Sequence, residues 1–195
     1  MTTSASSTQV GNSRGESTHG ERMRWVALLR GVNVGGITIR SADLRAVFED
    51  LGAEDVRTVL ASGNVLFTAP GARALWKARI QDALRERFGY DAWIILVTAD
   101  ELAQVAASFP FDAQDAARQP YVVFCADAQT QVRVWEAVGA LDGDDERVVP
   151  GSGVVYWHAR IGTSTDSPVA RVLARAAFKS GTTTRNLRTV DKMLT

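Results

Sequence analysis

The residues most suited to binding chemistry lie where an apolar run ends in LLRGVNVGG, residues 28–36. Arg30 offers a planar fork of donors that matches carboxylate or phosphate oxygens. The consecutive glycines Gly35 and Gly36 allow backbone N–H groups to point towards an anion, and Asn33 adds a small polar side chain. This segment is therefore a candidate half of a pocket for an anion or a nucleotide.

The same segment also fits a purely structural role. Its GVNVGG does not match the G-x-G-x-x-G fingerprint of dinucleotide-binding folds, and it lacks the lysine and hydroxyl of a Walker A loop. Glycines permit positive φ in a turn, asparagine side chains bond to nearby backbone, and Arg30 can pair with an acidic neighbour. The loop alone does not decide between a turn and a ligand site.

A second polar segment, TTTRNLRTVDK at residues 182–192, concentrates hydroxyl, amide and cationic groups ahead of a predicted helix. Thr184, Arg185, Asn186 and Lys192 are its candidate ligand-binding residues, because a helix N-terminus with nearby cations favours an anion. The alternative is ordinary N-capping by Thr184 or Asn186, with the arginines on a solvated helix face.

The predicted secondary structure decides which polar segments meet. Residues 24–97 read as strand, helix, two strands joined by a turn, helix and strand, which is the β-α-β-β-α-β order of ferredoxin-like folds. In that arrangement the first strand borders the third, so the glycine loop and the turn at residues 61–64 lie at the same end of one sheet. We therefore expect the glycine loop to be joined by three turn residues, Ser62, Gly63 and Asn64.

The second half of the chain repeats this order less completely. It contains a strand at YVVFCA, a helix, a hairpin, the helical stretch SPVARVLARAAFK and a last short helix at NLRTVDKML. The sequence thus predicts an α+β protein of two ferredoxin-like (βαββαβ-type) subdomains, the second less complete and followed by a short C-terminal helix. The predicted divisions are a disordered tail at 1–22, a first subdomain at 23–108, a linker at 109–120 and a second subdomain at 121–195.

Charge and hydropathy argue against some classes of partner. Lys+Arg and Asp+Glu both number 22, so the formal net charge is zero, which disfavours broad electrostatic binding to nucleic acid or acidic membranes. No apolar run reaches the length of a membrane span, and the predicted tail lacks the apolar core of a secretory signal. We expect a cytoplasmic protein without a membrane partner.

Metal and nucleophile chemistry has few candidates in this sequence. His158 is the only histidine outside the tail, and the single cysteine, Cys125, lies in an apolar strand where a buried, inert thiol is expected. The acidic stretch LDGDDE does not match an EF-hand loop. The sequence therefore predicts no metal site and identifies neither a cofactor nor a catalytic residue.

Taken in order, LLRGVNVGG, RTVLASGNVLF and TTTRNLRTVDKML resemble the signatures of the domain of unknown function 1697 family, small bacterial α+β proteins. The resemblance covers residues 24–194 and implies two ferredoxin-like subdomains, but no established activity. Carried over by position, the family's motif residues are Arg30, Gly31, Asn33, Gly35, Gly36, Ser62, Gly63, Asn64, Thr184, Arg185, Asn186, Thr189 and Lys192. Leu187 departs from the family, which typically has an aromatic residue at that position.

Three functions are compatible with these segments. The first is a binding module for a phosphate-bearing or other anionic ligand, either a nucleotide or a nucleic-acid end. The second is an enzyme acting on such a ligand without metal or histidine chemistry, in which Arg30 and Arg185 stabilise negative charge in the transition state. The third is a protein-interaction domain whose motifs are structural. A single site would require Arg185 or Lys192 to converge with Arg30 and Asn33 on one cleft between the subdomains.

Overall fold

A computed structural model describes residues 21–32, 38–60 and 63–195 as two four-stranded antiparallel sheets with interleaved helices, an α+β fold. Residues 1–20 of the predicted tail lie outside the described residues. The first half contains β1 (Arg22–Arg30), α1 (Ser41–Asp50), β2 (Glu54–Thr58), β3 (Asn64–Pro70), α2 (Arg73–Phe88) and β4 (Trp93–Thr98).

The first sheet has the strand order β2-β3-β1-β4, and β1 runs antiparallel to both of its neighbours. This is the order that the β-α-β-β-α-β sequence pattern predicts, with β1 beside β3. Residues Val26 to Leu29 are all buried, because β1 is the inner strand with cores on both faces. On α2, Trp76, Ile80 and Leu84 recur every four residues and pack against one face of this sheet.

The link to the second half is α3 (Ala99–Ala107), which begins with the capping box that the sequence predicts. Thr98 Oγ1 accepts from the Glu101 backbone N–H at 3.1 Å, and Glu101 accepts in return from the Thr98 N–H at 2.8 Å. The next strand, β5 (Arg118–Cys125), begins within the last three residues of the stretch predicted as a linker.

The second sheet has the corresponding order, β6-β7-β5-β8. Its remaining elements are α4 (Ala128–Val138), a 3₁₀ turn (Gly139–Leu141), β6 (Glu146–Pro150), β7 (Val154–Arg160), α5 (Pro168–Leu173), α6 (Ala176–Lys179), β8 (Thr182–Asn186) and α7 (Leu187–Leu194). The single helix predicted over SPVARVLARAAFK is two short helices, separated at Ala174 and Arg175.

Strand β8 corrects the expectation of a less complete second subdomain. The sequence predicts no strand at Thr182–Asn186, but this segment pairs with β5 from Cys125↔Thr182 to Tyr121↔Asn186 before α7 begins. Threonine is β-branched and favours strands, and an inner strand such as β5 needs a partner on each side. The second sheet therefore has as many strands as the first.

Three apolar clusters hold the layers together. One lies between the first sheet and α1 and α2, and another between the second sheet and α4 and α5. The central cluster draws on both sheets and on α3 and α7, so it joins the two halves. Its buried members are Val26, Leu28, Val59, Leu66, Ile95, Leu102, Val105, Val122, Phe124, Val154, Tyr156, Leu187, Val190 and Met193. Of the described helices, none has the length and apolar character needed to cross a bilayer.

Candidate functional site: an arginine cluster between the sheets

The turn before β3 is pressed against the end of β1. The Leu29 N–H donates to the Gly63 carbonyl at 2.8 Å. Gly63 has φ +73°, and a Cβ there would lie 2.9 Å from Leu29 Cβ and 3.0 Å from Val32 Cγ2. Only glycine fits this approach without displacing its neighbours. The end of β1 and the described part of the turn are therefore neighbours, as the strand order predicts.

Asn64, the first residue of β3, is fully buried and its side-chain amide is held in place. Its Nδ2 donates to the Val59 carbonyl at 2.8 Å, and the Val59 N–H donates to the Asn64 carbonyl at 3.0 Å. With the amide nitrogen committed to Val59, the Oδ1 atom is the acceptor that faces the second half of the chain. It accepts a hydrogen bond from Arg185 Nε at 2.5 Å.

Arg185 reaches from β8 into the first sheet. Its guanidinium Nη2 donates to the Leu29 carbonyl at 2.7 Å, and its Nη1 donates to Thr183 Oγ1 at 2.7 Å and to the Thr184 carbonyl at 2.9 Å. The residue is only 8% exposed. The buried cation thus donates to neutral oxygens from both halves of the chain.

Arg30 reaches in the opposite direction, from the end of β1 to β8. Its Nη1 donates to the Thr182 carbonyl at 2.8 Å and to Thr182 Oγ1 at 2.9 Å, while Nη2 makes a long contact of 3.4 Å with the Leu173 carbonyl. The Thr182 hydroxyl in turn donates to the Phe178 carbonyl at 2.8 Å, which fixes its lone pairs towards Arg30. We call Arg30, Asn64, Thr182, Thr183 and Arg185 the arginine cluster.

The two cations of the arginine cluster lie close enough that the charge of Arg30 acts on Arg185. Among the described residues, no carboxylate lies in an ion pair with either arginine. Burial, and secondarily the charge of Arg30, lowers the pKa of Arg185 to about 10. Burial also lowers the pKa of Arg30. Each guanidinium thus bears a desolvation cost that neutral acceptors offset only in part.

Comparison with known protein families identifies the family of this chain. The profile of a family described as protein of unknown function (DUF1697) matches residues 23–156, more than half of the sequence. The chain belongs to this family. The matched range includes the first two motifs of the sequence analysis, and it ends before the third motif at residues 182–192. Arg30 and Asn64 therefore lie within the family match, whereas Arg185 lies outside it.

A solved structure supports the same fold. The conserved bacterial protein SP0830 from Streptococcus pneumoniae superposes with a TM-score of 0.76 at 23% sequence identity. The alignment covers 89% of this chain and 97% of that protein, so both halves of the fold are shared. Curated protein sequences give no significant match.

The other predicted site residues of this DUF1697 protein differ in their positions and contacts. Thr184 contributes only its backbone carbonyl to Arg185. Asn186 caps α7, since its Oδ1 accepts from the Arg188 N–H at 3.0 Å, which is the capping contact that the sequence analysis gives as the alternative role. Lys192 lies exposed in the last turn of α7, with no side-chain bond to the described part of the cluster. Four further candidates, Asn33, Gly35, Gly36 and Ser62, lie outside the described residues.

Four contributors to the arginine cluster were not identified from the sequence. Thr182 and Thr183 lie in the polar segment, but the alternation that turns them towards different arginines appears only once the segment is a strand. The Leu29 carbonyl is backbone and carries no sequence signal. The Tyr90 hydroxyl donates to the Arg30 carbonyl, and it follows α2 in a position that no spacing rule connects to β1.

No group of three or more metal-ligating side chains occurs in the described ranges. His158 is buried in β7 between Phe109 and Phe111, 5.8 and 5.3 Å from their ring centroids, and so takes no part in the arginine cluster. Burial, with a smaller contribution from Asp127, raises the pKa of the Cys125 thiol to about 12, in line with the inert thiol expected from its strand.

Proposed function

We propose that the arginine cluster binds a phosphate-bearing anionic ligand, such as a nucleotide or a phosphorylated nucleic-acid end. The observation that carries this proposal is that Arg30 and Arg185 lie close enough for their charges to interact, while one edge of the Arg30 guanidinium makes only a single long contact with the described residues. Two positive charges at such a separation repel each other, and a bound anion would offset that repulsion.

The two arginines would contribute to anion binding in different ways. Arg185 has four hydrogen bonds to described groups, from Nε, Nη1 and Nη2, so it contributes mainly its fixed positive charge. On Arg30, both bonds at normal distance start from Nη1. Its Nη2 has one long contact and its Nε has no partner among the described residues. Nε and Nη2 form one edge of the guanidinium fork, the edge that binds two oxygens of a phosphate side by side.

A second candidate function has its own observation. Both arginines donate to groups of the opposite half of the chain, so the arginine cluster also acts as a clamp between the subdomains. In that case the DUF1697 chain is an interaction domain and the motif residues preserve the arrangement of the two sheets. The two functions differ in one measurable respect, since a clamp affects stability but not the binding of an added anion.

The test uses pyrophosphate and ADP as probes, titrated by isothermal calorimetry and by thermal shift. For the wild-type protein, a ligand at a hundredfold its Kd should raise the melting temperature by roughly 5–10 °C. Arg30→Lys retains the charge but loses the fork, and we expect it to weaken pyrophosphate binding by about tenfold or more. Arg30→Gln, which also removes the charge, should weaken it further.

Arg57 provides the matched control. It is another arginine that joins the two halves, because its Nη2 donates to the Met193 carbonyl at 3.1 Å, but it is not part of the arginine cluster. Arg57→Gln should therefore leave pyrophosphate affinity unchanged. If the wild type binds neither probe, or if Arg57→Gln and Arg30→Gln weaken binding equally, the clamp is the better account.

A further inference from the structure

A cavity of about 270 Å³ lies between β4 and the ends of β5 and the β6–β7 hairpin. β4 is an edge strand of the first sheet, and four consecutive residues, Ile94 to Val97, line the cavity. The other apolar walls come from Val105 of α3, Phe124 of β5 and Val154 of β7. No residue of the arginine cluster is among those that line it, so this is a separate place in the fold.

Three charged side chains border the cavity, and two of them neutralise each other. Arg73 Nη2 donates to both Glu101 oxygens at 2.6 and 2.7 Å, and one of these oxygens also accepts from the Thr98 N–H. Lys77, one turn further along α2, forms no ion pair with any described residue. The cavity therefore combines mainly apolar walls, in which Gln104 and Ser152 are the uncharged polar side chains, with a single positive charge that has no described ion pair.

Of the acids in the described ranges, Asp127 is the one whose pKa Lys77 is found to influence, and its carboxylate already accepts a hydrogen bond from another group. Asp127 accepts from the Thr130 N–H at 2.7 Å and caps α4. That hydrogen bond is the main reason why the pKa of Asp127 is lowered, and Lys77 makes the smallest contribution. Asp127 thus does not act as a close counter-ion for the ammonium group.

We propose that this cavity binds an unbranched aliphatic carboxylate, with the alkyl chain along the apolar walls and the carboxylate at Lys77. Mainly apolar lining around one cation is complementary to an amphipathic monoanion, and it offers too few polar partners to replace the hydration of a sugar or a nucleotide. A water-sized group occupies about 30 Å³, so the cavity holds roughly nine groups of that size. An alkyl carboxylate with that number of groups is about as large as octanoate. The edge cavity, as we call it, is independent of the proposed anion site.

The first test is a chain-length series of butanoate, hexanoate, octanoate and dodecanoate, measured by calorimetry. Affinity should rise about fourfold for each added methylene while the chain fills the apolar walls. The rise should stop near octanoate, because further methylenes would remain in water. Octanol, which has the same chain without the charge, should bind more weakly than octanoate.

Substitution of Lys77 separates the contribution of the carboxylate to binding from that of the alkyl chain. Lys77→Gln should weaken octanoate binding by about tenfold, a typical effect for one partly buried charge pair, and leave octanol binding unchanged. Lys179→Gln is the matched control, because Lys179 is an exposed lysine that does not line the cavity. It should leave both affinities unchanged.

The site of binding can be read from isoleucine methyl signals. The chain has six isoleucines, at positions 37, 39, 80, 94, 95 and 161. In a methyl-labelled sample, octanoate should shift the signals of Ile94 and Ile95 and leave Ile80 and Ile161 in place, because only the first two line the cavity. No octanoate binding, an affinity that Lys77→Gln does not change, or shifts confined to other isoleucines would each overturn the proposal.

Discussion

Arg30 and Arg185 reach past each other between the two sheets, each donating to the strand that carries the other. Arg30 donates to the carbonyl and hydroxyl of Thr182 in β8, and Arg185 donates to the carbonyl of Leu29, the residue before Arg30 in β1. The exchange joins two polar segments that are about 150 residues apart in sequence. It also holds like charges together, which makes this contact both a clamp and a candidate anion site.

The clamp makes Arg185 important for stability. Arg185→Ala leaves the buried Asn64 Oδ1 and the Leu29 carbonyl without this donor, so we expect a loss of about 2–4 kcal/mol in the free energy of unfolding. Urea denaturation followed by tryptophan fluorescence would measure it. The control is Arg188→Ala, because Arg188 is exposed on α7 and should change stability by less than about 0.5 kcal/mol. Equal effects of the two substitutions would show that the cluster does not stabilise the fold.

The first sheet could be predicted because its elements carry strong periodic signals. Trp76, Ile80 and Leu84 mark α2, and Thr98 with Glu101 marks the start of α3. Strand β8 carries no such signal, since TTTRN is polar and its strand character depends on pairing with β5. A chain segment whose structure is imposed by its partner cannot be identified from its own residues alone.

The candidate site could also be predicted only in part: its residues are visible in the sequence, but their contacts are not. Arg30, Asn64 and Arg185 are candidates in the sequence, because an arginine after an apolar run, a polar residue at a turn and a cation ahead of a predicted helix are all visible there. Their contacts were not predictable. The sequence suggested an acidic partner for Arg30 as the structural alternative, but the bonded groups are two carbonyls and a hydroxyl. Backbone acceptors depend only on chain geometry, and no residue type announces them.

We expect Gly63 to tolerate no side chain, because a Cβ there would clash with β1. Comparison with Gly153 separates this clash from backbone strain. Gly63→Ala places a methyl group 2.9 Å from Leu29 Cβ, in addition to the strain of φ +73°. Gly153 has nearly the same φ, +70°, but no atom within 4 Å of an added Cβ. We expect a loss of about 2–4 kcal/mol for Gly63→Ala and about 1 kcal/mol for Gly153→Ala, both measured by thermal and urea denaturation. Similar losses would mean that backbone strain, not the approach to β1, governs Gly63.

His158 should make stability depend on pH. It is 1% exposed, and neither ring nitrogen has a hydrogen-bond partner in the described structure. Burial is the first cause that lowers its pKa, and four neighbouring charges modify it: Arg118 and Arg147 lower the pKa, and Asp115 and Asp112 raise it. The folded state thus favours the neutral imidazole.

The sign of the pH effect follows from that lowered pKa. The unfolded chain binds the proton first, so the stabilising effect is complete above about pH 6.5 and declines as the pH falls from there towards the folded-state pKa. The loss should be at most about 1.4 kcal/mol per pH unit. We expect His158→Phe to remove this slope, because phenylalanine keeps the ring contacts with Phe109 and Phe111 but does not titrate. Denaturation midpoints of both proteins between pH 7.5 and 5 would show whether their difference changes with pH.

Cys125 should resist thiol reagents as long as the protein is folded. Burial first, and the nearby charge of Asp127 second, raise the pKa of its thiol to about 12. At pH 8 the reactive thiolate is then roughly a thousandfold scarcer than for an ordinary cysteine with a pKa near 8.5. Because the chain has one cysteine, N-ethylmaleimide uptake measured by mass spectrometry reports on this thiol alone. We expect slow uptake in buffer and rapid, complete uptake in 6 M guanidinium chloride.

A second variant tests the charge contribution to Cys125. Asp127→Asn removes the negative charge but keeps a side-chain oxygen that can accept from the Thr130 N–H, so α4 should retain its cap. Uptake of N-ethylmaleimide should become a few times faster at pH 8, because the smaller of the two causes of the raised pKa is gone. An unchanged rate would assign the low reactivity to burial alone. Uptake by the folded wild type at the rate of an ordinary thiol would contradict the raised pKa itself.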